Sequence, residues 1–185
     1  MTEAPPERRT AGIRTRFTEL LGCQVPIQLA PMGGGVVTVD LAAAVSRAGG
    51  LGMLQGREPT PLHERLGAMV RAKAGPFGVN FVSPAAPDRA EIELAAASAR
   101  LVEFFWTDPD PVIVGWVHEA GALAGWQIGS AAQARQAADA GCDVIVAQGT
   151  EAGGHVRASI GLLPLLSEVL DEVDVPVLAA GGIAT

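Results

Sequence analysis

Short apolar runs recur roughly every 20 to 30 residues along the chain, separated by segments whose apolar positions return with helical spacing. The runs are PIQLAPM, GLGMLQ, FGVNFV, LVEFFW, ALAGWQI, DVIVAQ and VPVLAAGG, which predicts about seven strands. Several are apolar at consecutive positions instead of alternating, the pattern of strands covered on both faces of a parallel sheet. Leu62, Leu66, Met69 and Val70 fall on one helical face, with Thr60 as the expected N-cap and Pro61 in the first turn. Ser130-Ala-Ala-Gln133 has the form of a capping box, and Gly141 ends the helix that it opens. LAAAVSRAGG ends in the same way at Gly49 and Gly50. Leu162, Leu166, Val169, Leu170 and Val173 predict one face of a further helix, which leads into the last strand.

Repeated β–α units of this length build either an open doubly wound sheet or a closed barrel. The glycines after the first run, GGGVVT, lack the G-x-G-x-x-G order of a dinucleotide-binding turn, which favours the barrel. A complete barrel takes about 250 residues, whereas the chain has 185 and its pattern stops after the seventh run. The expected fold is therefore α/β, a TIM (β/α)8-type barrel truncated after the seventh strand. Residues 1–22 open with the polar, proline-containing MTEAPPERRT and read as a partly disordered N-terminal arm. Residues 23–185 read as one domain.

Charge narrows the partners. A net charge of -7 argues against nucleic acid, because a phosphate backbone selects a basic surface. No uncharged apolar run reaches the roughly 18 residues of a membrane-spanning helix, so no membrane partner is expected. The two cysteines, Cys23 and Cys142, form neither a CxxC nor a Cys/His cluster. That points away from a metal site and toward a reduced, cytoplasmic setting.

In a parallel β/α protein the loops at the carboxyl ends of the strands build the site. Those loops carry Met32 to Gly35, Gln55, Asn80, Gln127, Gln148 through His155, and Gly181 with Gly182. The set is rich in glycine and neutral amides and has one histidine, with no paired carboxylates and no nucleophile beside a base. Amides donate and accept without burying a charge, which suits a ligand with many hydrogen-bonding edges, such as a flavin ring. The glycines let backbone N–H groups approach a phosphate. His155 follows two glycines just past a strand, with no hydrophobic periodicity to explain it as core. Imidazoles exchange a proton near neutrality, so His155 is the candidate base, or the donor to an anionic substrate. His63 and His118 fall within helices and read as solvated, and Cys142 precedes its strand and reads as a packed thiol.

PIQLAPMGGG, AGGLGML, PFGVNF, HEAGA, AGCDVIVAQGTEAGGH and VPVLAAGGIAT resemble, in order, successive blocks of the FMN-dependent nitronate monooxygenase (2-nitropropane dioxygenase) family. The resemblance covers Pro26 to the C-terminus, and its most specific parts are FGVN and AQG-x-EAGGH. It implies that the backbone at Ala30, Pro31 and Met32 packs on the flavin, and that Asn80, Gln148 and Gly153 contact FMN. It further implies that Gly181 and Gly182 hold part of the phosphate, and that His155 is the catalytic histidine. The commoner family strand reads Pro-Ile-Val-Gln-Ala-Pro-Met. Here Gln28 comes one place early and Leu29 takes the glutamine position, a shift that changes faces on a strand, so neither is assigned a role. The family's His-Arg-Gly is His155-Val156-Arg157 here, and Arg157 is likewise left without one.

The activity implied is oxidation of an alkyl nitronate, or of a nitroalkane, by molecular oxygen to a carbonyl compound and nitrite. Flavin-dependent enoyl-acyl-carrier-protein reductases, which use NAD(P)H, resemble the same glycine-histidine loop and form the alternative. A third reading is an inactive fragment of such a flavoprotein, since the family continues through another helix, an eighth strand and a second phosphate-binding turn. On that reading, purified 1–185 is expected to be colourless and either aggregated or self-associated through an open sheet edge.

Overall fold

Residues 12–82 and 88–183 are described by the computed structural model. Six parallel strands lie side by side in chain order: β1 (Gly52–Gln55), β2 (Phe77–Val82), β3 (Leu101–Phe105), β4 (Leu123–Ile128), β5 (Val144–Gln148) and β6 (Val177–Ala180). The helices are α1 (Arg16–Leu21), α2 (Val39–Arg47), α3 (Leu62–Ala72), α4 (Arg89–Ala96), α5 (Pro111–Glu119), α6 (Ala131–Asp139) and α7 (Leu162–Leu170). From α2 onward strand and helix alternate, and the sheet is a half-barrel of the expected β/α-barrel type.

The two faces of the sheet bury different chemistry. Leu54, Val79, Phe81, Val102, Phe104, Trp126 and Ile145 face the helices and form the larger core. Within it Phe104 packs on Trp126 with ring centroids 4.8 Å apart. The opposite face alternates out of phase, as a period of two requires. Its lower part is apolar: Leu51, Met53, Leu101 and Val144 are closed from below by Phe17 and Leu21 of α1. Its upper part carries Gln55, Asn80, Glu103, Gln127 and Gln148, all buried. Register places Gln55 beside Asn80, Asn80 beside Glu103, and Glu103 beside Gly125.

Close approach of α2 to β1 depends on Gly52. A Cβ there would lie 2.6 Å from Ser46 Oγ and press on the Ala42 carbonyl. Ser46 Oγ is not free to yield, since it donates to Pro76 O at 2.8 Å and accepts from Gly52 N at 3.2 Å. Gly52→Ala is expected to cost about 2 to 3 kcal/mol through overpacking, read as a lower urea midpoint with an unchanged slope.

Several expectations change on the structure. PIQLAPM is not a full strand: Gln28 forms an isolated bridge to Leu51, so six strands pair where seven were expected. Pro26 and Pro31 bound this run and lack the N–H that a ladder needs. The arm ends before residue 22, because Arg16–Leu21 is helical and Phe17 and Leu21 are buried. The disorder expected of residues 1–11 lies outside the described residues. Thr60 does not cap α3; Pro61 takes the cap position, and Val70 is exposed while Arg65 is buried. Leu170 is also exposed, and Leu162, Leu165 and Val169 form the buried stripe of α7. Ser130 caps α6 by accepting from Gln133 N, but the Gln133 side chain accepts from Gly129 N instead of returning to Ser130.

Candidate functional site

The carboxyl ends of the strands open into a cleft of about 1450 Å³. Ala30, Pro31, Met32, Gln148, Gly153, His155, Gly181 and Gly182 all line it, together with Gln28, Gln55 and Gln127. Asn80 does not: it is fully buried, one strand from Gln55.

The His155 loop is held from several sides. Gly149 N donates to Ala180 O at 2.9 Å, tying the end of β5 to the end of β6. Glu151, a residue of the AQG-x-EAGGH block, accepts from Leu162 N at 2.9 and 3.1 Å and thereby caps α7, whose own N-cap, Gly161, has no side chain to do so. Gly181 and Gly182 have φ of 120° and 63°, and a Cβ on either would approach Ala152 N or Glu151 Cβ to 3.0 Å. The β6 turn therefore seats against the β5 loop, and only glycine allows both the conformation and the approach. At Gly153 and Gly154 an added Cβ meets nothing within 4 Å, so bare backbone lines the cleft there.

Gln148 Nε2 donates to the His155 carbonyl at 3.0 Å, which fixes the loop that carries the imidazole. The His155 ring is exposed and meets Trp106 edge to face, with centroids 5.4 Å apart. Trp106 leaves β3 with φ of 85°, a left-handed backbone unusual for a bulky residue. Arg157 holds it there by donating to Trp106 O and Thr107 O at 3.0 and 3.2 Å and pairing with Asp108 at 3.0 Å. Trp126 Nε1 also donates to Thr107 O. Arg157 thus braces the β3 loop against the His155 loop.

Below the cleft lies a buried polar cluster. Gln28 Nε2 donates to Glu103 Oε2, and Asn80 Nδ2 to Glu103 Oε1, each at 2.7 Å. Burial pushes the Glu103 carboxyl up to about 7, against the pull of the two amide bonds. The opposite oxygens, Gln28 Oε1 and Asn80 Oδ1, are buried without a partner among the described residues, as is Gln148 Oε1. An unsatisfied buried acceptor costs about 1 to 3 kcal/mol, and the two that belong to cleft-lining residues, on Gln28 and Gln148, suit a ligand that brings N–H or O–H donors. On the β1 side, buried Arg65 donates to the carbonyls of Gln55, Gly56 and Thr60 and shapes the loop carrying Arg57 and Glu58. The thiols take no part: Cys142 is buried, and burial and Asp143 push it up to about 12. His63 is exposed, and His118 Nε2 lies 2.8 Å from Asp143.

Gln28, Glu103, Trp106 and Arg65 are the residues that sequence reasoning missed. Glu103 had a signal, a carboxylate inside the apolar run LVEFFW; the others are recognisable only from their partners. Among the described residues no group of three or more His, Cys, Asp or Glu could hold a metal ion, and no helix is long and apolar enough to cross a membrane.

Comparison with known proteins bears on the fold and the family. A (3aS,4S,5R,7aS)-5-hydroxy-7a-methyl-1-oxo-octahydro-1H-indene-4-carboxyl-CoA dehydrogenase of Mycobacterium tuberculosis is 37% identical, over 92% of this chain and 49% of its own length. A nitronate monooxygenase of Neurospora crassa is 32% identical over 78% of this chain and 50% of its own. The chain spans about half the length of these curated relatives. Among solved structures, FabK (M276A) from Thermotoga maritima superposes with a TM-score of 0.85 at 32% identity, covering 93% of this chain and 58% of that one. A nitroalkane oxidase from Streptomyces ansochromogenes gives 0.80 at 31%, covering 91% and 61%. The nitronate monooxygenase family model matches residues 14–108 and 88–185. With the family model matched over most of its length, the chain belongs to the nitronate monooxygenase family.

Proposed function

We propose that this cleft holds FMN and serves oxidation of an alkyl nitronate by molecular oxygen to a carbonyl compound and nitrite. The observation that carries the reading is the convergence on one cleft of buried, unpartnered amide oxygens, bare glycine backbone and a histidine loop anchored by Gln148. The residues fit the group: a flavin ring brings an N–H donor between two carbonyls, and the Gly181–Gly182 turn can admit a terminal phosphate. Ala30, Pro31 and Met32 would pack on the ring and Gln148 and Gly153 would contact it, whereas Asn80, buried outside the cleft lining, would act from behind it. FMN is our reading in place of FAD because the glycine turn accounts for one terminal phosphate. When bound, the flavin supplies the electron transfer.

The chain supplies the rest. His155 takes the α-proton of a neutral nitroalkane, or donates a hydrogen bond to the oxygens of a nitronate that has already lost it. Trp106 limits where the imidazole can swing. Two free thiols suit the reduced setting of a cytoplasmic enzyme.

The similarity to FabK and to the carboxyl-CoA dehydrogenase favours a second reading, redox chemistry on a thioester such as reduction of an enoyl group by NAD(P)H. Mass analysis of the extracted chromophore is expected to give FMN, and recovery of FAD would contradict the first reading. Oxygen uptake with nitrite release on adding a nitronate supports nitronate oxidation. NAD(P)H consumption that depends on an enoyl thioester, without nitrite release, replaces it by the second.

A further inference from the structure

The reaction proposed above makes no use of Glu103. Among the described residues the buried charged side chains are Arg65 and Glu103, and they are satisfied in opposite ways. Arg65 meets backbone carbonyls, whereas each Glu103 oxygen meets one amide NH2. An ionised carboxylate only accepts. It therefore dictates the orientation of both amides, because turning either one over would set oxygen against oxygen. The consequence is visible in the partnerless Gln28 Oε1 and Asn80 Oδ1. Gly125 on the neighbouring strand lies beside Glu103, where a Cβ would make ordinary contact with Glu103 Cγ at 3.6 Å.

We infer that Glu103 is a positioning residue that sets the hydrogen-bond polarity of the cleft floor. Ionised, it fixes Gln28, which lines the cleft, as an acceptor for a ligand edge that donates N–H, and holds the buried Asn80 amide in the same sense. Protonated, it donates its O–H to one amide oxygen, and that amide turns over to present NH2 instead. The groups set against Glu103 are Asn80 from β2, Gly125 from β4 and Gln28 from the segment bridged to Leu51. The charged groups around the cleft are Arg16, Arg57, Glu58 and His155. Burial pushes the carboxyl up to about 7, which brings the exchange between the two polarities toward neutrality. An N–H donor selects the ionised form, so its binding must release protons. That the donor is a flavin edge rests on the function proposed above; the coupling of the amides to Glu103 does not.

Two measurements separate these. In the chain without added flavin, the side-chain amide NMR signals of Gln28 and Asn80 are expected to titrate together between about pH 5 and 9, with one midpoint close to neutrality. Glu103→Gln should abolish the titration. Should that variant fail to fold, Gln28→Met removes one bond to the charged form and should move the Asn80 midpoint upward. Signals indifferent to pH, a titration surviving Glu103→Gln, or an Asn80 midpoint unmoved by Gln28→Met overturns the inference. Calorimetry with FMN near pH 7, in buffers of different ionisation heat, should then show net proton release on flavin binding, lost in Glu103→Gln. Flavin binding without proton release overturns the ligand part of the inference. No flavin binding by the wild type overturns the flavin reading, while the NMR titration still decides the role of Glu103.

Discussion

Replacing His155 with asparagine is expected to lower turnover of a neutral nitroalkane by about 10²-fold or more, with flavin binding nearly intact. Asparagine keeps a hydrogen-bond donor at the position but cannot take a proton, so the loss should fall on the substrate whose α-proton must leave. A preformed nitronate needs only a donor to its oxygens and should be affected less. The geometry makes the substitution clean: Gln148 holds this loop through the His155 backbone carbonyl, not through its ring. The side chain is exposed and touches Trp106, so its loss leaves no buried group unsatisfied. Steady-state kinetics on both substrates decide the matter. Unchanged rates with both would remove His155 from the chemistry.

Arg65→Met should produce the largest loss of stability, about 3 to 4 kcal/mol, with the damage centred on the cleft's β1 wall. Methionine keeps the apolar stem of the side chain but removes donors to the carbonyls of Gln55, Gly56 and Thr60. Burial weakens the hold of this guanidinium on its proton, and Glu58 opposes that effect, so the charge is costly and part of the loss is refunded when it goes. The stranded buried carbonyls outweigh the refund. Urea unfolding should show a lower midpoint at unchanged slope. Arg65→Lys should recover a minority of the loss, since a single ammonium cannot reach the three carbonyls as a planar fork does. A methionine variant as stable as wild type would mean that water or backbone rearrangement satisfies those groups.

Sequence reading of the cleft lining worked where the residues share one contiguous loop. AQG-x-EAGGH places Gln148, Gly153 and His155 by sequence adjacency, and the glycine pair after β6 announces its own turn. It worked less well where a residue's role depends on a distant partner. Arg157 looked like a misplaced family residue; it is a brace between two loops, reaching Asp108 49 positions away. Glu151 sits in the most specific motif, yet its observed work is to cap a helix that starts 11 residues later.

The alternation of apolar runs with helical stripes was enough, without coordinates, to determine the β/α architecture, the strand ends that build the cleft and the candidate histidine. Periodicity carries that information because burial on a strand or helix repeats with the local backbone geometry. Tertiary structure alone decided that PIQLAPM contributes one bridge instead of a ladder, and that Gln28 and Asn80 converge on Glu103. Those partners lie 75 and 23 residues apart in the chain. Their meeting is set by parallel register and sheet curvature, which bring alternate residues of separate strands onto one interior face where a buried carboxylate has to find its donors.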